Sequence, residues 1–188
     1  MGRAGTFMDL LLSRGGLSWF GGFAGGLAAG LFFLRRRRLP IVRVLAAATP
    51  ALAVAHAIGR VGCFLVGDDY GIPSSLPWAV AFPQGLPPTA TPVHPTQLYE
   101  AAALLPIAWL LLRWRRENRP DTFVLGWYLV ATGTVRFAIE FLRMREPLFG
   151  PFAVAHVLAF AAVCVGAWFL RSRRPNLLDR SAAGPAAP

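Results

Sequence analysis

The sequence predicts an all-α, polytopic integral membrane protein of about five transmembrane helices with a structured, proline-rich outer loop. Three observations carry that expectation. Of the 188 residues, 55% are hydrophobic and only 15% charged, whereas a soluble domain is closer to 45–50% apolar with about 25% charged. The apolar residues gather into segments near 17–34, 41–58, 98–112, 123–142 and 152–170, most of them near the roughly 20 residues that a crossing requires. The basic residues, all arginine, close these segments in runs: Arg35 to Arg38, then Arg113, Arg115, Arg116 and Arg119, then Arg171, Arg173 and Arg174.

Residues 1–188 read as a single membrane domain. Ahead of the first span, the apolar run at 7–12 is too short for a signal peptide and no small-residue cleavage site follows it, so the first span itself is expected to direct insertion. That span carries Gly21, Gly22, Gly25, Gly26 and Gly30. Small residues four apart let helices approach closely in lipid, so these glycines read as a packing face, or as room and exposed N–H groups for a lipid headgroup. The second span is expected to leave the membrane at Gly59-Arg60, where four glycines between positions 59 and 71 permit tight turns. The outer loop at 60–97 holds seven prolines, which fix φ and remove donors. It cannot be helical, although the stretch from Trp78 to Phe82 suits a short strand or an interfacial position. Thr96 is expected to cap the third span, with Glu100 in its first turn where the helix dipole favours an anion.

The net charge of +10 invites a nucleic-acid reading, but that requires basic residues spread over a water-facing surface. Here they flank apolar segments, as topology-setting charge does, and nucleic acid is not expected as a partner. The positive-inside rule puts the arginine runs and the tail at 171–188 in the cytoplasm. The amino terminus and the outer loop then face outward; Arg60 is the one basic residue in 60–97. The two cysteines, Cys63 and Cys164, are expected at different depths and unbridged.

Several polar residues stand out against this background. Arg60 is either an interfacial anchor or a phosphate ligand, for which its planar guanidinium is suited. Asp68 and Asp69 are loop or capping residues, or acid–base groups. Arg136 lies 13 residues into the fourth span, with Glu140 and Arg143 following at helical spacing. An ionised group near the bilayer centre costs about 2.5–3.5 kcal/mol on insertion scales and usually faces a cavity or partner. Arg136 and Glu140 either neutralise each other, or the second arginine leaves a positive charge that an anionic ligand satisfies. His94 has polar neighbours and is a loop residue or a general base, whereas His56 and His156, set in Ala/Val-rich helix, suit structural hydrogen bonds. No histidine and cysteine spacing fits zinc. No metal or other cofactor is expected. Cys63 is a packing residue, or a thiol activated by Arg60.

Three motifs now resemble the prolipoprotein diacylglyceryl transferase family: Gly59-Arg60-x-Gly62-x-Phe64 leading to Gly67, Asp68 and Gly71; His94-Pro95-x-Gln97-Leu98-Tyr99-Glu100; and Gly133-x-x-Arg136-Phe137-x-x-Glu140-Phe141-x-Arg143. The resemblance runs from about residue 17 to 170. It implies a multi-pass protein of the bacterial inner membrane that moves the diacylglyceryl group of phosphatidylglycerol to the thiol of a lipobox cysteine in a prolipoprotein, releasing glycerol phosphate at the periplasmic side. The family's essential arginines fall on Arg60 and Arg136 and its acidic position on Asp68. His94 joins these as a candidate base, and Gly21, Gly22, Gly71, Gln97, Tyr99, Glu140 and Arg143 are candidates for holding the lipid.

Three positions depart from the family pattern. Phe20, in Ser18-Trp19-Phe20-Gly21-Gly22, stands where the family has its favoured histidine base; Cys63 replaces an asparagine; and Thr132 replaces a tyrosine. Set beside full-length members of the family, the chain is also expected to be short of their amino-terminal spans and arm. Two expectations follow. One is a transferase in which His94, Asp68 or Glu140 serves as base, or in which solvent and phosphate suffice, with another thiol acceptor or lipid donor as a variant. The other is a non-catalytic phospholipid-binding or chaperone-like membrane protein that kept the arginines and lost the base.

Overall fold

The computed structural model of the chain describes residues 25–26, 28–143 and 154–172, which fall in two compact units, 1–44 and 45–188. Gly21, Gly22 and Phe20 lie outside the described residues, as does the tail beyond 172. In the first unit, 28–36 is helical. It closes with Arg37 N–H on Phe33 O and Leu39 N–H on Leu34 O, around Arg38 at φ 53°. Pro40, lacking a donor, follows this left-handed closing residue. The packing face expected at Gly21, Gly22, Gly25, Gly26 and Gly30 falls partly outside the described residues.

The second unit contains most of helix α1 (Ile41–Val66) and all of β1 (Val80–Phe82), β2 (Thr89–Val93), α2 (Thr96–Arg116), α3 (Asp121–Glu140) and α4 (Val154–Arg171). Among the described residues it is mostly helical, with one two-stranded antiparallel sheet. Helix α1 buries one stripe of small residues, Ala46, Thr49, Ala53 and Ala57, spaced as a single helical face. Its other faces carry exposed Leu52, Ile58, Val61 and Leu65. Pro50 sits inside the helix, and Thr49 Oγ1 donates to Ala46 O at 2.9 Å beside it. Membrane helices tolerate such prolines because neighbouring groups take up the freed backbone.

The helix does not end near residue 58 as the sequence suggested. It continues to Val66, and Gly59 and Gly62 are ordinary helical residues with open space beside them. The termination is at Gly67, whose φ of +73° is the left-handed conformation glycine adopts without steric cost. From there the chain folds back: Leu86 N–H donates to Gly67 O at 2.9 Å, and a Cβ on Gly85 would lie 2.5 Å from that same oxygen. Strands β1 and β2 pair Val80 with Val93 and Phe82 with Thr89 across an irregular register. Tyr70, Phe82 and Val93 form a small core with Phe64 of α1 and Val80 against it. Tyr70 stacks on Phe82 at 5.5 Å and donates its O–H to Pro87 O at 2.6 Å. The hairpin segment is thereby fixed to the end of α1.

Helix α2 is longer than the 98–112 span expected from the sequence. Pro95, not Thr96, is its capping residue, and no side chain caps it. Thr96 Oγ1 instead donates to Asp69 O at 3.1 Å, because the incoming loop brings that carbonyl within reach. In the turn after α2, Arg113 pairs with Glu117 at 2.8 Å. The hydrogen bond from Arg113, with a second from Arg119, holds the exposed Glu117 carboxyl below the usual range. Trp114, Phe123 and Trp127 then cluster across the α2–α3 turn.

Helices α3 and α4 pack through glycine. A Cβ on Gly166 would lie 2.7 Å from Gly126 O, one on Gly126 2.9 Å from Gly166 O, and one on Gly133 2.9 Å from Ala159 O. Gly126, Gly133, Ala159 and Gly166 face one another at this close approach. Large apolar side chains on α4, Val157, Leu158, Phe160 and Trp168, remain exposed. Helices α1, α3 and α4 are long and apolar enough to cross a membrane. Helix α2 is long enough but carries polar residues at both ends.

Gly166→Val is expected to lower stability by about 1–3 kcal/mol through overpacking, whereas Gly62→Ala, into open space, should cost nothing. Thermal unfolding in detergent micelles of the two variants checks the contrast.

Candidate functional site

The polar residues singled out in the sequence meet at one end of the helices, where α1 and α3 finish and α2 begins. Arg60 projects from the last turns of α1, Glu100 from the second turn of α2, and Arg136 and Glu140 from the last turns of α3. Arg143 lies past the end of α3, not on its face as the spacing suggested; its N–H still reaches Glu140 O at 3.2 Å. There it pairs with Gly71 in an antiparallel bridge.

These side chains close a ring of alternating charge. Arg60 Nε reaches Glu100 Oε2 at 3.0 Å, and Arg136 Nη1 reaches that same oxygen at 3.4 Å. Arg136 Nη2 reaches Glu140 Oε2 at 3.0 Å, and Arg143 Nη1 the same atom at 3.9 Å. Arg143 Nη2 then meets Asp69 Oδ2 at 3.2 Å, and Arg60 Nη1 completes the circuit to Asp69 Oδ2 at 3.1 Å. His56, one helical turn before Arg60, adds its Nε2 at 3.2 Å from Glu100 Oε1. Glu100, Glu140 and Arg143 have side chains 1%, 0% and 1% exposed, but Asp69 is 35% exposed.

The geometry bears on three expectations. Among the described residues, three guanidiniums face three carboxylates around Arg136, so its charge is met by Glu140 and also by Glu100. Arg136 lies near the end of its helix rather than at mid-span. Glu100 is stabilised by two arginines and a histidine rather than by the helix dipole, being beyond the first turn.

The acidic residue in the ring is Asp69, not Asp68. Asp68 presents its carbonyl to Gln97 Nε2 at 2.6 Å, and its carboxylate lies near Cys63, with ligand atoms of Cys63, Asp68 and Asp69 all within 4.8 Å. The two guanidiniums already on Asp69 oppose a cation there. Cys63 and Cys164 are both free thiols.

Gln97 is fully buried and holds the loop through that hydrogen bond. Gly71 has a similar role: its N–H donates to His94 O at 2.9 Å, and a Cβ would lie 2.6 Å from Leu142 O, so only glycine fits. His94 and Tyr99 sit to one side of the ring. Tyr99 Oη accepts from Trp78 Nε1 at 2.7 Å and lies 3.3 Å from His94 Nδ1. Buried His156 lies against Phe137 and Phe141. Thr132 Oγ1 donates to Tyr128 O of its own helix at 2.6 Å. Sequence reasoning named Asp69 beside Asp68 but carried only Asp68 into the site, and it missed the hub role of Glu100; His56, four residues before Arg60, was the one readable signal for the pairing around Glu100.

Fold and site define a helical membrane protein with a buried ion-pair ring at one helix end under a β-hairpin. The sequence profile described as prolipoprotein diacylglyceryl transferase matches residues 6–171, and the chain belongs to that family. Relatives named phosphatidylglycerol–prolipoprotein diacylglyceryl transferase include one from Pseudomonas putida, 31% identical over 175 residues, covering 87% of this chain and 64% of the relative. One from Nitratidesulfovibrio vulgaris is 35% identical over 181 residues, covering 93% and 65%. A third, from Geobacter sulfurreducens, is 34% identical over 158 residues, covering 81% and 60%. The chain thus spans just under two thirds of the length of the curated relatives it matches.

Arg136→Ala leaves two almost fully buried carboxylates short of a partner, whereas Arg60→Ala affects Glu100 and the half-open Asp69. Breaking a buried pair from one side costs about 3–5 kcal/mol, so Arg136→Ala should destabilise more than Arg60→Ala. Unfolding temperatures in one detergent measure the order; equal, small losses would contradict it.

Proposed function

We propose that the chain transfers the diacylglyceryl group of phosphatidylglycerol to the thiol of a lipobox cysteine in a prolipoprotein. The observation that carries this reading is the convergence of all three family motifs on a single ring of charge. The thiolate sulfur attacks the glycerol carbon bonded to the phosphate oxygen; that C–O bond breaks, and its electron pair leaves on the phosphate as glycerol phosphate. The leaving phosphate gains negative charge, which fixed guanidiniums at Arg60 and Arg136 stabilise without reorganising. Exposed apolar faces on α1 and α4 suit acyl chains and surrounding lipid.

His94 is the base this arrangement favours. Glu140 is pinned by Arg136 and Arg143 and shut off from solvent. His94 is part-exposed, and with its hydrogen on Nδ1 facing Tyr99 Oη, the Nε2 lone pair is left to accept the thiol proton. Tyr99, held by Trp78, orients that ring. The chain is placed in a bacterial inner membrane with five spans, the ring and hairpin on the periplasmic side and the arginine runs in the cytoplasm. The arginine distribution supports that orientation.

A second reading, a phospholipid-binding protein without turnover, is favoured by Phe20 where the family has histidine. The two separate in one assay: purified protein with phosphatidylglycerol and a lipobox peptide, followed by mass spectrometry. A peptide heavier by one diacylglyceryl group is the expected result. Transfer only by a Phe20→His variant would favour the second reading. In the active protein, His94→Gln should lower kcat by about 10²–10⁴-fold and leave phosphatidylglycerol binding intact, as equilibrium binding in nanodiscs can verify.

A further inference from the structure

The end of α1 borders a groove that the ring does not use. Its lining includes Leu65, Val66 and Gly67 from the helix end and Ala81, Phe82 and Pro83 from the hairpin, around about 370 Å³ of space. That is at the small end of the roughly 300–1,000 Å³ of ligand sites, so it suits a short stretch of chain. Strand β1 runs along it. Among the described residues β1 pairs only with β2, whereas β2 is also met by Pro73 opposite Val93. The groove takes no residue from β2 and therefore lies beside the unpaired edge of β1. Open edges are ordinarily guarded by charged side chains. Here no Asp, Glu, Lys or Arg occurs from Tyr70 to Tyr99, so the edge is free to accept a strand.

We propose that this groove seats the acceptor polypeptide: the residues just before its lipobox cysteine lie extended along β1 as an added strand, with an aliphatic side chain in the groove. The proposal rests on the lipid-transfer reading, and it gives the protein substrate a place apart from the arginines. Three observations select this occupant. An extended chain takes main-chain hydrogen bonds from an open edge and side-chain contacts from the pocket beside it, and an acyl chain has no groups for the first. The groove is continuous with the ring, because Gly67 is followed at once by Asp68 and Asp69. Two extended residues span at most about 7 Å, so a peptide with its cysteine at the ring reaches the groove with the second or third residue before it. Finally, Leu65, 79% exposed, and Val66 end a helix apolar enough to cross a membrane. A chain emerging from an apolar signal segment arrives at that level.

The groove is formed before any peptide arrives. Phe82 is held between Phe64 and Tyr70, with ring centroids 5.5 Å from each, and Leu86 N–H is held by Gly67 O. The strand edge and the helix end are thereby fixed to each other. Pairing along β1 sets the register of the acceptor, since a slip of one residue turns every side chain to the other face. The edge thus decides which residue meets the ring, and the groove decides which side chain precedes it.

The test measures binding of a fluorescent lipobox peptide with an apolar amino-terminal segment to the protein in nanodiscs, and its lipidation when phosphatidylglycerol is present. Ala81→Trp and Val66→Trp fill the groove from its two sides, so that one suffices should the other fold poorly. Leu112→Trp, at an exposed position on α2, is the control. Both groove variants should weaken peptide binding about tenfold and leave phosphatidylglycerol binding unchanged. Serine in place of leucine at the second and third residues before the cysteine should weaken binding to the parent by a similar factor, and should matter little in the variants. A peptide N-methylated at those residues, which removes its main-chain donors, should also bind weakly; full-strength binding of that peptide would overturn the added strand. Unchanged peptide binding in the folded groove variants would overturn the groove as its seat, and so would weaker phosphatidylglycerol binding, which would assign the groove to lipid. If the parent lipidates peptide in that case, the transferase reading stands without the groove. Groove-dependent peptide binding in a protein that never lipidates peptide would fail the reading and retain the groove.

Discussion

Glu100 is the residue on which the rest of the site depends. Its carboxylate is almost fully buried, and burying an unpaired charge costs many kcal/mol, so its partners have to be present for this end of the fold to form. Those partners are His56 and Arg60 from α1 and Arg136 from α3. One acidic side chain on α2 thus connects three helices. The apolar contact beside it, Ala57 against Ala101 and Leu104, brings α1 and α2 close enough for these distances, and the small side chain of Ala57 is what permits that approach.

The remaining structure aligns the ring. Glycines at 126, 133 and 166 lock α3 to α4 and fix the helix from which Arg136 and Glu140 project. Gly67 stops α1 and turns the chain over it, and the Tyr70, Phe82 and Val93 core keeps the hairpin in place. Gly71 lets the loop pass against the end of α3, which puts Asp69 between two arginines. The polar end is held from several sides, while apolar side chains on α1 and α4 stay exposed.

Helices α1 to α4 overlap the apolar segments read at 41–58, 98–112, 123–142 and 152–170, because long apolar segments are strong signals, as are arginines within them. The three motifs also named most of the ring. What could not be read was which neighbour does what. Asp68 and Asp69 are adjacent in sequence, and only the left-handed turn at Asp69 decides that the second faces the arginines. Glu100 looked like a helix-dipole residue because its partners lie 40 and 36 residues away along the chain. The packing of Gly126 against Gly166 was not readable either, because the two are far apart in sequence and meet only in the fold.

The central claim is that the ring is an energetic unit and not a set of separate surface pairs. A double-mutant cycle between Arg60 and Glu100, read by unfolding free energy in a single detergent, tests it most directly. Arg60→Leu, Glu100→Leu and the double variant should give a coupling of about 1.5–3 kcal/mol, within the range for residues sharing an ion-pair network. Additivity to within about 0.5 kcal/mol would contradict the account.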